Sequence, residues 1–394
     1  MPLDALDTDD LAHWLRLTLT PGVGPTAART LLRAFGLPRS VFEASPVALA
    51  RTVGPRLARA LGAADGAREQ AVAQALDWAR HDVHHLVTLA DADYPTPLLQ
   101  IPDPPALLYL RGRRDALARP MLAIVGSRNA TAAGAAHARS FARTLSAAGW
   151  TIASGLALGI DAAAHDGALD GAGGTVAVLG TGVDLVYPSR HAALADRICA
   201  DGALLSECPL GLGPSAGQFP RRNRLIAGLS RGVLVVEAAV RSGSLITARQ
   251  AGDFGRDVFA IPGSIDSPLA RGCHALIRDG ARLVESADDV LSELPLLEPT
   301  HRTQNLPLFA SAHSQQNPDP EIASPISHDP ILEALGHDPV SPDTLAAHLS
   351  LPPGEVGARL VMLELAGSLQ RLPDGRVVRS TPSDRLASAP IRLL

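Results

Sequence analysis

Phe219-Pro220-Arg221-Arg222-Asn223-Arg224-Leu225-Ile226-Ala227-Gly228 runs into Gly232-Val233-Leu234-Val235-Val236-Glu237 and then Ser242-Gly243-Ser244-Leu245-Ile246-Thr247. The apolar, β-branched run 233–236 has the length of a buried parallel strand. The Ser-Gly-Ser turn after it opens a helical stretch, 245–254. A helix start with small residues in front of it offers free N–H groups to an anion. Upstream, Arg221, Arg222 and Arg224 gather three guanidinium groups behind Phe219, with a helix expected over 222–229. No acid lies between Phe219 and Gly232. The aromatic can stack a base and the arginines can hold phosphates, so the stretch reads as a site for a phosphodiester backbone.

The 394-residue chain is 46% hydrophobic and 19% charged, which allows two or three domains with a sizeable core. Its formal net charge of -5 gives no bulk positive field, so any nucleic-acid site must be local. From Leu205 to Ala260 there are seven arginines against four acids, a net of +3 inside an acidic protein. All 35 Lys+Arg residues are arginine. Without lysine there is no Walker A loop and no Schiff-base chemistry. Arginine keeps phosphate affinity and adds bidentate and stacking geometry.

Cys199, Cys208 and Cys273 form no CxxC pair, so neither a metal site nor a disulfide framework is indicated, which fits a reducing cytoplasm. Residues 1–10 carry four aspartates and no basic residue, unlike a signal peptide. No apolar run approaches the length of a membrane span, so no membrane partner is expected. No cofactor is indicated.

From residue 121 strands and helices alternate. Strands are expected at 122–125, 151–154, 175–179, 203–206, 233–236 and 258–261, with helices between them at 131–148, 160–170, 190–201, 222–229 and 245–254. Earlier strands are expected at 83–89 and 107–110. This order implies right-handed βαβ crossovers and an α/β fold with a central doubly wound, extended Rossmann-like parallel sheet. Ligands of such sheets lie at the carboxyl ends of the strands. The residues there are Gly126, Ser127 and Arg128; Ser154, Gly155 and Gly159; Gly180 and Gly182; Glu207; Glu237 with Ser242, Gly243 and Ser244; and Pro262 with Gly263. Glycine recurs in several of these loops, as it must where backbone approaches a ligand closely.

At these positions the chain resembles the DNA-processing protein A (Smf) family. The matching residues are Gly126-Ser127-Arg128 with Thr131 and Gly134; Ser154-Gly155-Leu156-Ala157 with Gly159-Ile160-Asp161 and Ala164-His165; Gly180, Gly182 and Asp184 with Tyr187-Pro188; Ser206-Glu207; Phe219-Pro220 with Arg222-Asn223-Arg224; Val236-Glu237 with the Ser-Gly-Ser turn; and Pro262-Gly263 with Gly272, Leu276-Ile277 and Gly280. The match covers roughly residues 90 to 285.

The resemblance implies a single-stranded DNA-binding protein that protects incoming DNA and loads the RecA recombinase during natural transformation. It also implies a homodimer and no catalysis. DNA would lie at the sheet-edge loops, with Arg128 a binding residue and the segment Phe219, Arg221, Arg222, Asn223 and Arg224 and the Ser-Gly-Ser turn bordering the site. A dimer surface is expected around residues 274–283, with His274, Leu276 and Ile277. The chain departs from the family pattern at Leu158, where a DNA-contacting basic residue is usual, and at His191, where Asn is usual.

Asp161 and His165 lie four apart, a spacing open to metal or acid–base work, though such a pair more often holds a neighbouring loop. Glu207 and Glu237 are expected to orient Arg128, Arg222 or Arg224 rather than to act as catalysts, and Asn223 to bond backbone.

The flanks read as separate modules. Residues 1–81 form a small all-α domain. In it Pro21-Gly22-Val23-Gly24-Pro25 and a weaker copy at Gly54-Pro55 resemble a helix-hairpin-helix or SAM-like unit, either a phosphate contact or a helical cap. The sheet domain spans 82–294. Residues 295–325, rich in Pro, Ser, Gln and Asn, read as a disordered linker. Residues 326–380 read as a winged helix whose Asp374-Gly375 marks a hairpin, and 381–394 as a loose tail. Its would-be recognition helix carries Glu355 and Glu364 beside Arg359, favouring a protein-contact or regulatory role over DNA reading.

Two enzyme classes compete. A nucleoside monophosphate phosphoribohydrolase would resemble a glycine-rich loop followed by a catalytic Glu, and 242–248 contains no Glu. A dinucleotide dehydrogenase needs Gly-x-Gly-x-x-Gly after the first strand, which Gly126-Ser127-Arg128 does not supply.

Overall fold

The computed structural model describes residues 8–294, 331, 341–349, 351–365, 368–371 and 376–379. They fall in two units that divide after residue 302. The expected linker and tail and the hairpin tip at Asp374-Gly375 lie outside the described residues.

The first unit opens with α1 (Thr8–Leu19), α2 (Pro25–Phe35), α3 (Pro38–Glu43), α4 (Pro46–Val53), α5 (Pro55–Gly62) and α6 (Gly66–Trp78). Four in succession begin on proline, which suits the first helical position because its N–H would lack a partner there anyway. The two short helices α3 and α4 fall where no helix is expected from periodicity. Arg68 is buried and ties the two hairpins together, donating to Thr20 Oγ1 at 3.2 Å and to Ala63 O at 2.8 Å. Trp14, Leu15 and Leu31 of these helices share a core with Leu86, Tyr109 and Leu204 of the sheet.

The sheet follows: β1 (His84–Thr88), α7 (Thr96–Leu99), β2 (Leu107–Gly112), β3 (Met121–Val125), α8 (Ala132–Ala147), β4 (Thr151–Ser154), α9 (Ile160–Ala168), β5 (Thr175–Val178), α10 (Ala192–Asp201), β6 (Ala203–Ser206), α11 (Gln218–Leu229), β7 (Gly232–Val235), α12 (Gly243–Asp253), β8 (Asp257–Ala260), α13 (Arg271–Arg278), β9 (Arg282–Leu283) and α14 (Ala287–Glu293). The nine strands lie in the order β1-β2-β6-β5-β4-β3-β7-β8-β9. β3 to β9 pair in parallel, while β1 and β2 add an antiparallel edge on β6.

β3 shows why its sequence is an unbroken apolar run. Met121, Ala123 and Val125 enter one core, with α11 and α12. Leu122 and Ile124 enter the other, with α8, α9 and α14. A strand covered on both faces has no polar side to alternate with. Each fully buried Leu or Ile on it contributes about 1.5–3 kcal/mol.

From β3 the chain crosses by α8 to β4 on one side, and from β7 it crosses by α12 to β8 on the other. The order therefore reverses between β3 and β7, and a crevice opens at their carboxyl ends.

In the second unit, helices Pro342–Leu349 and Pro353–Leu365 pack with strands Leu369–Arg371 and Val377–Arg379, which pair antiparallel. Ile331, Leu345, Val356, Leu360, Leu369 and Val377 form their core.

Candidate nucleic-acid interface

The crevice at the switch point has a volume of about 820 Å³. The loop after β3 supplies Gly126, Ser127 and Arg128 to it, and the start of α12 supplies Ser242, Gly243 and Ser244. The third wall is α11, and here the structure departs from the sequence reading. The helix starts at Gln218, not at 222, so Phe219 to Arg221 is helical as well. Pro220 sits in the first turn, where its missing N–H breaks nothing, and Gln218 Oε1 accepts from Ser215 N at 3.0 Å to close the approach.

Helical phase then separates the arginines. Phe219, Arg222, Asn223 and Ile226 follow the i, i+3, i+4, i+7 spacing and line the crevice. Arg221 and Arg224 turn away and face Glu207 instead. Arg224, buried, donates to the Glu207 carboxylate and to Asp103 O at 3.0 Å. Arg221, exposed, lies 3.5 Å from the same carboxylate. Burial pushes the Glu207 carboxyl up, and the facing arginines oppose that shift.

Arg222 is also buried. Its Nη1 donates to Gly155 O at 2.7 Å and to Val178 O, joining the loop after β4 to the end of β5. Burial lowers its guanidinium to about 10. Asp161, buried beside it, has its carboxyl pushed up by desolvation, partly offset by Arg222. Asp161 Oδ2 accepts from Gly155 N at 3.1 Å and from Ala157 N at 3.3 Å. His165 Nε2 accepts from Leu156 N at 3.3 Å, and its other nitrogen lies 2.7 Å from Thr175 Oγ1. Burial lowers the His165 pKa to about 3, so the ring is neutral. The spaced Asp161–His165 pair thus holds the 155–157 loop. His191 bonds the same loop at Leu156 O, at 2.9 Å.

Arg128 is exposed and makes no ion pair among the described residues. Its Cζ lies 5.6 Å from the Phe219 ring centroid. Tyr187 lies beside that ring, with centroids 5.7 Å apart. Cation, aromatic and helix start therefore share one wall-to-wall space.

Several expected site residues are not part of the lining. Ser154 Oγ donates to Ile124 O at 2.6 Å between two strands. Gly155 makes room for the Arg222 guanidinium, and Gly159, at φ +77°, lies against the carbonyls of Ser127 and Arg128. A side chain at Gly159 would push the two loops apart. Gly180 lies against Phe219, and Gly182 beside Asp184. Glu237 contacts none of the arginines named for it and instead bonds Thr131. Asn223 Nδ2 reaches Gly243 O at 3.4 Å. Also outside the lining, Leu276 belongs to the sheet core with Ile277 half-buried against it, and His274 Nε2 lies 2.9 Å from Gly263 O.

The lining also includes Asn129 and Arg241, which carry no sequence motif, and Tyr187 and Thr247, which belong to the matching stretches but are not among the expected site residues. Arg241 directly precedes the Ser-Gly-Ser turn and is exposed without an ion pair among the described residues. Thr247 is 1% exposed, and its hydroxyl meets no hydrogen-bond partner there. The signal for Thr247 was its helical spacing, three and four residues after Ser244 and Gly243. Among the described residues no group of three or more His, Cys, Asp or Glu is arranged to hold a metal. No described helix is long and apolar enough to cross a membrane.

Residues 85–295 match the family described as DNA recombination-mediator protein A, and residues 315–375 match the DprA winged helix domain. Protein Smf of Synechocystis is 38% identical over 395 residues, covering 93% of this chain and 98% of the relative. The DNA processing protein DprA of Streptococcus pneumoniae is 50% identical over 206 residues, covering 52% of this chain and 73% of the relative. Its X-ray structure superposes with a TM-score of 0.64 at 37% identity, over 75% of this chain and all of that one. With the sheet domain matched in full and Smf aligned over nearly both whole lengths, the chain belongs to the DNA recombination-mediator protein A family, the DprA/Smf proteins.

Proposed function

We propose that the crevice binds single-stranded DNA, with the backbone following Arg128 and the start of α12 and a base resting on Phe219. The observation that carries this reading is the Arg128–Phe219 pair, an unpaired cation over an aromatic ring in a crevice with a helix N-terminus on its rim. Membership of a family of DNA-processing, recombination-mediating proteins supports the same substrate class. Arg241 and Thr247 are further phosphate contacts in this reading, while Arg222 and Arg224 shape the site from inside the protein. Membership also supports loading of the RecA recombinase onto the bound strand during natural transformation, in the cytoplasm, by a homodimer that meets near residues 274–283. Leu276 lies in the core, so the exposed Leu283 at the sheet edge is the better candidate for that contact. The reading assigns no catalysis: His165 and Asp161 are occupied with loop backbone, and no Glu lies in 242–248. The winged helix serves as a protein-contact or regulatory module, since Arg359 is paired with Glu355 at 2.8 Å.

The test is a titration of labelled oligo-dT with the full chain at several salt concentrations, beside a blunt duplex of the same length. Tighter binding of the single strand, with a linear log–log salt dependence, is expected. Equal or tighter binding of the duplex would overturn the reading.

A further inference from the structure

In a dinucleotide-binding sheet the pyrophosphate sits at the N-terminus of the helix that follows the first strand of the parallel run. Here that helix is α8, and its N-terminus is already taken. Glu237, which follows β7, reaches across to Thr131, the N-cap of α8. Its Oε2 accepts from Thr131 N at 3.0 Å, and its Oε1 accepts from the Thr131 hydroxyl at 2.6 Å. Thr131 Oγ1 in turn accepts from Gly134 N at 2.9 Å. Gly134 has to be glycine for this to occur: any Cβ there would overlap the Glu237 carboxylate. The carboxylate thus occupies the position where a helix start favours negative charge. The crevice lining agrees, since it includes five residues from Ser242 to Thr247 at the start of α12 and none of α8.

We propose that Glu237 is a specificity-determining residue: its carboxylate fills the α8 anion site from within the chain, so the crevice refuses nucleotide pyrophosphates and offers a phosphate the helix start of α12 but not that of α8. The strand half of this statement rests on the single-stranded DNA reading above, and the pyrophosphate half does not. On this assignment Glu237 adds to the missing Gly-x-Gly-x-x-Gly loop a second feature that turns a sheet of dinucleotide-binding architecture away from dinucleotides. It acts by occupying space and by repulsion, because a second anion brought to Thr131 would face a carboxylate at hydrogen-bond distance.

The test uses the full chain and its Glu237→Ala and Glu237→Gln variants, titrated by calorimetry with inorganic pyrophosphate and with ADP. Circular dichroism melts establish that each variant is folded. Glu237→Ala opens the space and removes the charge, and pyrophosphate affinity should rise about tenfold or more over the unsubstituted chain, as expected for freeing a helix N-terminus. Glu237→Gln keeps the volume and removes the charge, and a smaller rise is expected. A carboxylate with a merely structural role would leave pyrophosphate affinity unchanged or lower on removal, and Glu237→Ala would then bind no better than Glu237→Gln. Equal pyrophosphate and ADP affinities in the three folded proteins would overturn the assignment, as would ADP binding by the unsubstituted chain as tight as by Glu237→Ala. Should Glu237→Ala not fold, the Glu237→Gln comparison decides alone. Failure of the unsubstituted chain to bind oligo-dT would sink the DNA reading and leave the pyrophosphate comparison intact.

Discussion

Arg128 and Phe219 lie 91 residues apart in sequence, in the loop after β3 and the first turn of α11, yet the guanidinium carbon stands 5.6 Å from the ring centroid. In the proposed reading the two residues serve different parts of one nucleotide, and their substitutions should separate charge from stacking.

Arg128→Ala should weaken oligo-dT binding and reduce the log–log salt slope by about one unit, because one phosphate contact disappears. The residue is exposed in a loop and unpaired, so the melting temperature should hold. An unchanged slope would mean that Arg128 meets no phosphate.

Phe219→Ala should weaken binding by about 1–3 kcal/mol, the cost of one lost base stack, while leaving the salt slope in place. Phe219→Trp should keep most of the affinity. If Phe219→Ala instead flattens the slope, the ring acts by holding Arg128 and not by stacking.

Arg222 and Arg221 are neighbours with opposite roles. Arg222→Met should destabilise the fold by about 3–5 kcal/mol, since it leaves two buried carbonyls and Asp161 without their cation. Arg221→Ala removes an exposed ion pair and should cost under about 1 kcal/mol. Urea denaturation of both variants compares them directly. Similar small losses in both would show that the Arg222 bonds to Gly155 and Val178 contribute little.

Much of this was legible before the structure. Strands buried on both faces read as plain apolar runs, and the expected and observed strands differ by a residue or two at their ends. The phase of the decisive segment was not legible. Pro220 reads as a helix breaker, so the sequence places the helix start two residues after it and gives residues 219–221 no face. With the helix begun at Gln218, the same residues sort at once into a crevice face and a Glu207 face. The short helices α3 and α4 have too few turns to show a period. Arg241 carries no motif of its own and is marked only by its place directly before the turn. Glu237's partner, 106 residues away, has no local signature at all.

Acid should destabilise the protein through His165. Its pKa is about 3 in the folded chain against 6.5 unfolded. Between those values the unfolded state holds the extra proton, so stability falls as pH drops from about 6.5 toward 3, by about 1.4 kcal/mol per unit at most. Asp161 works in the opposite direction. Its raised pKa lets the folded state take a proton first, which offsets part of the loss. A His165→Asn variant should be less stable at pH 7 and show a shallower loss between pH 6 and 4. A parallel pH profile would assign the acid sensitivity elsewhere.

Leu158 is the position where the family pattern has a basic residue, and Leu158→Arg asks whether the strand passes there. The residue lies half-buried between Gly155, whose carbonyl accepts from Arg222, and Gly159, which packs on the carbonyls of Ser127 and Arg128. An arginine here would add a positive charge to the loop that packs on the backbone of Ser127 and Arg128. A new charge-assisted contact should tighten oligo-dT binding by about 1 kcal/mol at low salt and less at high salt, with a steeper salt slope. Tighter binding with an unchanged slope would place the arginine on a base and not on a phosphate. No change, with a large loss in Arg221→Ala, would move the strand to the outer face of α11, beside Glu207. Weaker binding in a folded Leu158→Arg protein would overturn the crevice altogether, because added positive charge cannot repel a phosphate backbone.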